Sequence, residues 1–172
     1  KISIDGKAIK SATDKINNGN IPYIVSAFIG EIGLSMGEVK VDDKSNEITA
    51  IPELLDLLDI EGATITIDAI GTQEDIVNKI VNKGGHYVLP VKDNQRILKK
   101  EIKSQFDSYN NLLGNPEVFH KSTVDKDHGR IERREHYLVY DIDWLYGKEN
   151  WQNINMIGMT RNYREINNEV SI

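Results

Sequence analysis

The chain has 172 residues, 39% of them hydrophobic and 28% charged, with a formal net charge of −6 and no cysteine. That length supports one compact domain with its own core, with room for a small appendage. The absence of cysteine rules out a disulfide framework, a thiolate metal site and a cysteine nucleophile. No run approaches about eighteen consecutive apolar residues and no signal-peptide pattern opens the chain, so a cytoplasmic protein without a membrane partner is expected.

The opening Ile2-Ser3-Ile4-Asp5 alternates apolar and polar residues, the period of a strand with two unlike faces. A strand starting this close to the first residue suggests a longer parent protein from which an N-terminal region has been removed. After Asp5-Gly6-Lys7, a polar stretch to Asn20 reads as a mobile loop. Residues 22–29 predict a buried strand, Gly30 to Gly33 a turn, and 34–41 its hairpin partner, so the first three strands form an antiparallel meander. Asp42 to Asn46 closes it. A helix follows, with Pro52 near its first turn, Leu54, Leu55, Leu57 and Leu58 on its apolar side, and Gly62 as its stop.

Residues 63–68 repeat the opening pattern as Ile65-Thr66-Ile67-Asp68, and their β-branched side chains predict a central strand covered on both sides. Thr72 to Lys83 predicts an amphipathic helix with Ile76, Val77, Ile80 and Val81 inward and Gly84-Gly85 at its end. His86 to Val91 reads as a strand, and Asn94 to about Phe106 as a helix polar on most of its surface. From there the texture changes. A turn-rich link, Tyr109 to Pro116, leads to strand-like runs over 118–124, 130–140 and 155–162, interrupted by 141–153, and to a last one from Glu169. The expected organisation is an α/β core over 1–107 followed by a β-rich insertion over 108–172 that is still in progress at the last residue.

If the two Ile-x-Ile-Asp strands lie side by side, parallel and in register, Asp5 and Asp68 come to one face at the strands' C-terminal ends. Neighbouring strands are about 4.8 Å apart, so two such carboxylates can share a divalent cation. The plainer alternative is that each aspartate caps the turn after its strand, Gly6 following one and Ala69 with Gly71 the other. Charge is unevenly spread. Residues 38–61 hold eight acids against Lys40 and Lys44, which leaves the rest of the chain neutral overall. Bases gather at Lys1, Lys7 and Lys10, at Lys92, Arg96, Lys99, Lys100 and Lys103, and at Lys126, Arg130, Arg133 and Arg134. The acidic total therefore does not exclude DNA.

Three strands, a helix, a strand, a helix, a strand and a helix make an α/β layer in which a meander joins parallel strands through helical crossovers. This is the element order of the ribonuclease-H-like fold. The runs Ile4 to Lys7, Ile24 to Phe28, Lys44 to Leu55 and Thr66 to Gln73 resemble DDE transposases of bacterial insertion sequences, of the H-repeat-associated type found near Rhs elements. Gly84 to Gln95 and Asp127 to Arg134 also resemble that family, so the similarity covers essentially the whole chain.

The resemblance implies metal-dependent DNA strand cleavage and transfer in transposition, by an endonuclease and polynucleotidyl transferase. Transposon ends and target DNA would be its partners, with a homodimer in the synaptic complex and a location at the bacterial nucleoid. Asp5 and Asp68 match the first two acids of the DDE triad, which hold two Mg²⁺ or Mn²⁺ ions, and carboxylate-only ligation suits such hard cations. The family's third acid belongs on a helix after the β insertion, in a His-Trp-x-Ile-Glu-Asn-like stretch, and no such stretch occurs before Ile172. Glu132, in Arg130-Ile131-Glu132-Arg133, imitates the pattern but sits in a β-like run. Either Glu132 is the third acid, or the chain is a fragment with two of three acids, binding metal weakly and inactive alone.

DNA or phosphate contacts are expected from Lys7, Lys92, Asn94, Gln95, Arg96 and Arg130. Asn94 and Gln95 alternatively cap the next helix, and Lys92 alternatively is a solvated strand-end lysine. The four histidines show no metal spacing, and Trp144 and Trp151 read as insertion core. Two other functions stay open: a non-catalytic DNA-binding or assembly remnant of a transposase, and a phospho-acceptor receiver built on Asp68 and Lys92. The hairpin at 22–41 argues against the receiver, which needs strands and helices alternating from the start.

Overall fold

The computed structural model describes residues 1–9, 23–41, 47–108, 115–127, 130–166 and 169–171. It divides into two compact units, one of Lys1–Arg96 with Glu149–Asn153 and one of Ile97–Lys148 with Ile154–Ile172. The polar loop expected to Asn20, the closure at 42–46 and most of the link before Pro116 lie outside the described residues.

In the first unit the elements run β1 (Ile2–Ala8), β2 (Tyr23–Ile29), β3 (Leu34–Val41), α1 (Glu47–Leu57), β4 (Thr64–Ile67), α2 (Glu74–Asn82) and β5 (His86–Val88). Their strands form one mixed sheet in the order β3-β2-β1-β4-β5. The β1–β2 and β2–β3 pairs are antiparallel, whereas β1–β4 and β4–β5 are parallel, as the meander and helical crossovers require. β2 and β3 are joined by the turn at 30–33 with no helix between them, unlike a receiver's uniform strand–helix alternation. Alternation along the strands gives the sheet one apolar face. Ile2, Ile4, Val25, Ala27, Ile65 and Ile67 are buried there in one core with Ala50, Ile51, Leu54 and Leu55 of α1 and Ile76 and Ile80 of α2. Each of the isoleucines, leucines and Val25 contributes about 1.5–3 kcal/mol when fully buried.

Several local expectations are corrected. The first helix begins at Glu47, so Pro52 lies inside it and not in its first turn. It ends at Leu57, well before Gly62, and the buried stripe is Ala50, Ile51, Leu54 and Leu55. Leu57, the last residue of the helix, is 72% exposed. Gly62 instead adopts φ +67° in the turn before β4, where its N–H donates to the Gly84 carbonyl at 2.9 Å. β2 is half-buried, with Val25 and Ala27 inward and Phe28 43% exposed. β4 is likewise buried on one face only, Thr64 and Thr66 remaining partly exposed, and β5 is shorter than the run to Val91.

The second unit holds most of α3 (Arg96–Ser108) and the strands β6 (Val118–Asp127), β7 (Arg130–Val139), β8 (Ile157–Ile166) and β9 (Glu169–Ser171). These strands form an antiparallel sheet in sequence order. Phe106, Val118, Tyr137, Val139, Ile142 and Ile157 are its core, with Trp144 packed against them. Trp151, expected in the same core, is buried in the first unit.

One charged group is buried in that sheet. Glu135 of β7 accepts a hydrogen bond from Ser122 Oγ at 3.2 Å, meets Arg133 Nε at 3.2 Å, and pairs closely with His120 Nε2. The His120 hydrogen bond holds its carboxyl below the usual range, against the opposing effect of burial. A depressed carboxyl pKa contributes stability that is complete above the unfolded value, about 4.3, and is lost as pH falls through the folded value. Thermal melts are therefore expected to weaken below about pH 4.3, and Glu135→Gln should flatten that acid limb. A limb unchanged in the variant would remove Glu135 as its cause.

Candidate active site

The two Ile-x-Ile-Asp strands are neighbours. β1 and β4 pair in parallel with Ile2 opposite Ile65, Ser3 opposite Thr66 and Ile4 opposite Ile67. Thr66 Oγ1 donates to Ser3 Oγ at 3.1 Å across this pair, so the polar positions share one face. The next positions in phase on that face are Asp5 and Asp68, both exposed.

The acids are not both at strand ends. Asp5 lies inside β1, opposite Ser26 of β2, because β2 continues to pair with β1 as far as Ala8. The ladder with β4 stops at Ile4, so the sheet opens beside Asp5 at the level where β4 gives way to Asp68. Gly6 is accordingly a strand residue, not a turn. A Cβ there would overlap the buried carboxylate of Glu47, which opens α1. Glu47 was visible in the sequence only as one acid of the 38–61 segment, and nothing there paired it with Gly6.

Asp68 does cap a turn. Its Oδ1 accepts from the Ile70 N–H at 3.0 Å and starts the 3₁₀ turn Ala69–Gly71. Capping engages only one oxygen, and the other has no hydrogen-bond partner among the described residues. Asp5 has no hydrogen-bond or ion-pair partner among them either. Lys7, two residues on in β1, presents its exposed side chain on the same face as Asp5.

Asn94 and Gln95 hydrogen-bond to the chain's own backbone. Asn94 Nδ2 donates to the Ala69 carbonyl at 2.6 Å, and Gln95 Nε2 to the Thr72 carbonyl at 2.9 Å. Lys92 is exposed, and so is Arg96 at the start of α3. Arg96, Lys99, Lys100 and Lys103 follow the i, i+3, i+4, i+7 spacing of one helix face, and all four are exposed. On the same helix Leu98 and Phe106 are buried.

Glu132 lies on β7, in a strand and not on a helix. Its carboxylate meets Arg130 Nε at 3.0 Å, Arg134 Nη2 at 2.9 Å and Arg164 Nε at 3.7 Å. Among the described residues, no group of three or more His, Cys, Asp or Glu is arranged to hold a metal ion. No helix among them is long and apolar enough to cross a membrane.

Residues 4–151 match the family described as transposase DDE domain. A protein of Xanthobacter autotrophicus named for the dhlA 3′ region, and uncharacterized, is 37% identical over 99% of this chain and 57% of its own length. The "H repeat-associated putative transposase YhhI" of Escherichia coli (strain K12) is 44% identical over 82% of this chain and 36% of its own. The "H repeat-associated putative transposase YbfD" of the same strain is 43% identical, over 82% of this chain and 54% of its own. The chain thus spans between 36% and 57% of the length of these relatives. Its structure has a weak likeness, TM-score 0.42 at 11% identity, to a piggyBac transposase synaptic complex with hairpin DNA, covering 77% of this chain and 30% of that one. With the family domain matched over residues 4–151 and relatives of the H-repeat type aligned over four-fifths of its length, this chain belongs to the DDE-domain transposases.

Proposed function

We propose that this chain provides the first part of a catalytic core that cuts and joins DNA in the transposition of an insertion sequence, with Asp5 and Asp68 as paired carboxylate ligands. What carries the reading is the β1–β4 register, which brings both aspartates to one exposed face at equivalent positions. A strand order of β3-β2-β1-β4-β5, with the acids on the first strand and directly after the fourth, supports a ribonuclease-H-like core. The antiparallel second sheet corresponds to its β-rich insertion.

The donors suit a hard divalent cation, Mg²⁺ or Mn²⁺: both are carboxylates, one on β1 and one directly after β4, each with an oxygen unengaged among the described residues. When bound, such ions activate water or a DNA 3′-hydroxyl and offset charge on the attacked phosphate. Two carboxylates and water suffice for one ion, whereas a second requires a further acid. Glu132 belongs to the arginine network of β7 and β8, where its carboxylate meets three guanidiniums. Lys7 adds positive charge on the Asp5 face, and the basic stripe of α3 meets DNA phosphates without reading bases. Transposon ends and target DNA are the partners of this activity, held by a pair of copies in the synaptic complex.

Calorimetric titration with Mn²⁺ tests the assignment. Weak binding is expected, reduced at least about tenfold by Asp68→Asn, as for loss of one of two charged ligands, and unchanged by Glu132→Gln. Loss of binding in Glu132→Gln would make Glu132 a ligand. Binding indifferent to Asp68→Asn would leave the non-catalytic alternative, a DNA-binding or assembly role.

A further inference from the structure

We infer that Thr72, Asn94 and Gln95 are positioning residues for Asp68: their side chains clamp the turn 69–72 to the segment 90–95 and so fix the direction of the Asp68 carboxylate. The inference rests on the reading of Asp68 as a metal ligand.

Asp68 is exposed, and among the described residues its side chain accepts one hydrogen bond, from the Ile70 N–H. The carboxylate is therefore as well placed as Ile70, and Ile70 sits in a turn only three residues long. Isolated, such a turn closes on two backbone bonds, Gly71 N–H to the Asp68 carbonyl at 3.1 Å and Thr72 N–H to the Ala69 carbonyl at 3.2 Å. Here it is held at both ends from another part of the chain. Asn94 binds the Ala69 carbonyl at 2.6 Å and approaches the Thr72 carbonyl at 3.5 Å, while Gln95 binds the Thr72 carbonyl at 2.9 Å. In return the buried Thr72 hydroxyl donates to the Pro90 carbonyl at 2.8 Å. Within the clamping segment, the Gln95 N–H donates to the Lys92 carbonyl at 3.0 Å. Gly71 completes the fit, since a Cβ there would overlap the Ile67 side chain and push the turn off β4.

These bonds exceed what closing the turn needs, because the Ala69 carbonyl keeps its bond from Thr72 N–H without Asn94. Removing one amide should therefore loosen the turn without unfolding the sheet. Groups that orient a metal-binding residue from behind typically change metal affinity about 10–100-fold when mutated. The spacing of Asp68, Thr72, Asn94 and Gln95 in the sequence gives no sign of this arrangement. It becomes visible only when β4 and β5 pair in parallel and bring their following loops together.

The test combines amide hydrogen exchange, Mn²⁺ titration and thermal melting on the protein, Asn94→Ala, Thr72→Val, Thr72→Ser and, as control, Asp68→Asn. Asn94→Ala and Thr72→Val are expected to speed exchange of the Ile70 amide about tenfold or more, as local opening becomes easier. They should also weaken Mn²⁺ binding about tenfold, at temperatures far below melting. Thr72→Ser, which keeps the hydroxyl donor, should restore both. A lower melting temperature with unchanged Mn²⁺ affinity and Ile70 exchange would make the clamp merely structural and overturn the inference, while a weakened Asp68→Asn kept the metal reading intact. Mn²⁺ binding indifferent to Asp68→Asn would sink the metal reading and this inference with it.

Discussion

The purified protein is expected to bind duplex DNA at low salt, release it steeply as salt rises, and leave it uncut. Arg96, Lys99, Lys100 and Lys103 form one exposed helix stripe, and phosphate contacts release counterions whatever the base sequence. Four such contacts give a slope of about −3.6 in log affinity against log salt, or about a hundredfold loss between about 50 and 200 mM. Replacing the three lysines by glutamine should lower the slope by about 2.7 and weaken binding uniformly across sequences. Strand cleavage is a separate matter, since charge builds on the attacking and leaving oxygens and is met by correctly spaced ions. With Glu132 engaged by three arginines, Asp5 and Asp68 are left to seat one ion, and nicking should stay at background even with Mn²⁺. Metal-dependent nicking abolished by Asp5→Asn would show that two carboxylates suffice. No DNA binding at low salt would mean that this stripe does not face DNA.

The largest stability effect is expected in the sheet that carries the acids. Ile65 is fully buried in β4, between β1 and β5, and packs with both helices' apolar residues in one core. Ile65→Ala should cost about 2–5 kcal/mol, the transfer of the lost methyl groups plus the cavity left behind. Its neighbour Thr66 lies on the other face, and its hydroxyl donates a hydrogen bond to Ser3. Thr66→Ala should cost about 1 kcal/mol or less, the net value of such a bond. Urea unfolding of the two variants measures the difference, and equal costs would mean that the sheet has no single core face.

The sheet was legible because its period was clean. Ile2-Ser3-Ile4-Asp5 and Ile65-Thr66-Ile67-Asp68 announce two strands in the same phase, and the turn at 30–33 announces the meander between them. Boundaries were less legible where two signals competed. Pro52 looked like a helix start, yet the buried stripe from Ala50 to Leu55 carries the helix past it. Gly6 looked like a turn, but pairing with β2 extends the strand through it, and the missing side chain makes room for Glu47. Within the candidate site, the matched phase and the family resemblance together pointed to the aspartates. What holds them could not be found that way, because Thr72, Asn94 and Gln95 act through backbone carbonyls brought near by strand pairing. Backbone acceptors exist at every residue and leave no mark in a sequence.

The most direct measurement of the central claim, that Asp5 and Asp68 share one cation, is paramagnetic broadening by substoichiometric Mn²⁺ in the amide NMR spectrum. In the unmodified protein the resonances of Gly6 in β1 and Ala69 just after β4, which follow the two acids, should broaden together and before those elsewhere. Either Asp5→Asn or Asp68→Asn should relieve the broadening at both amides, since one ion held by two carboxylates is lost from both when either is removed. Broadening at one of the two amides alone, or broadening at both that survives each single substitution, would contradict a shared site.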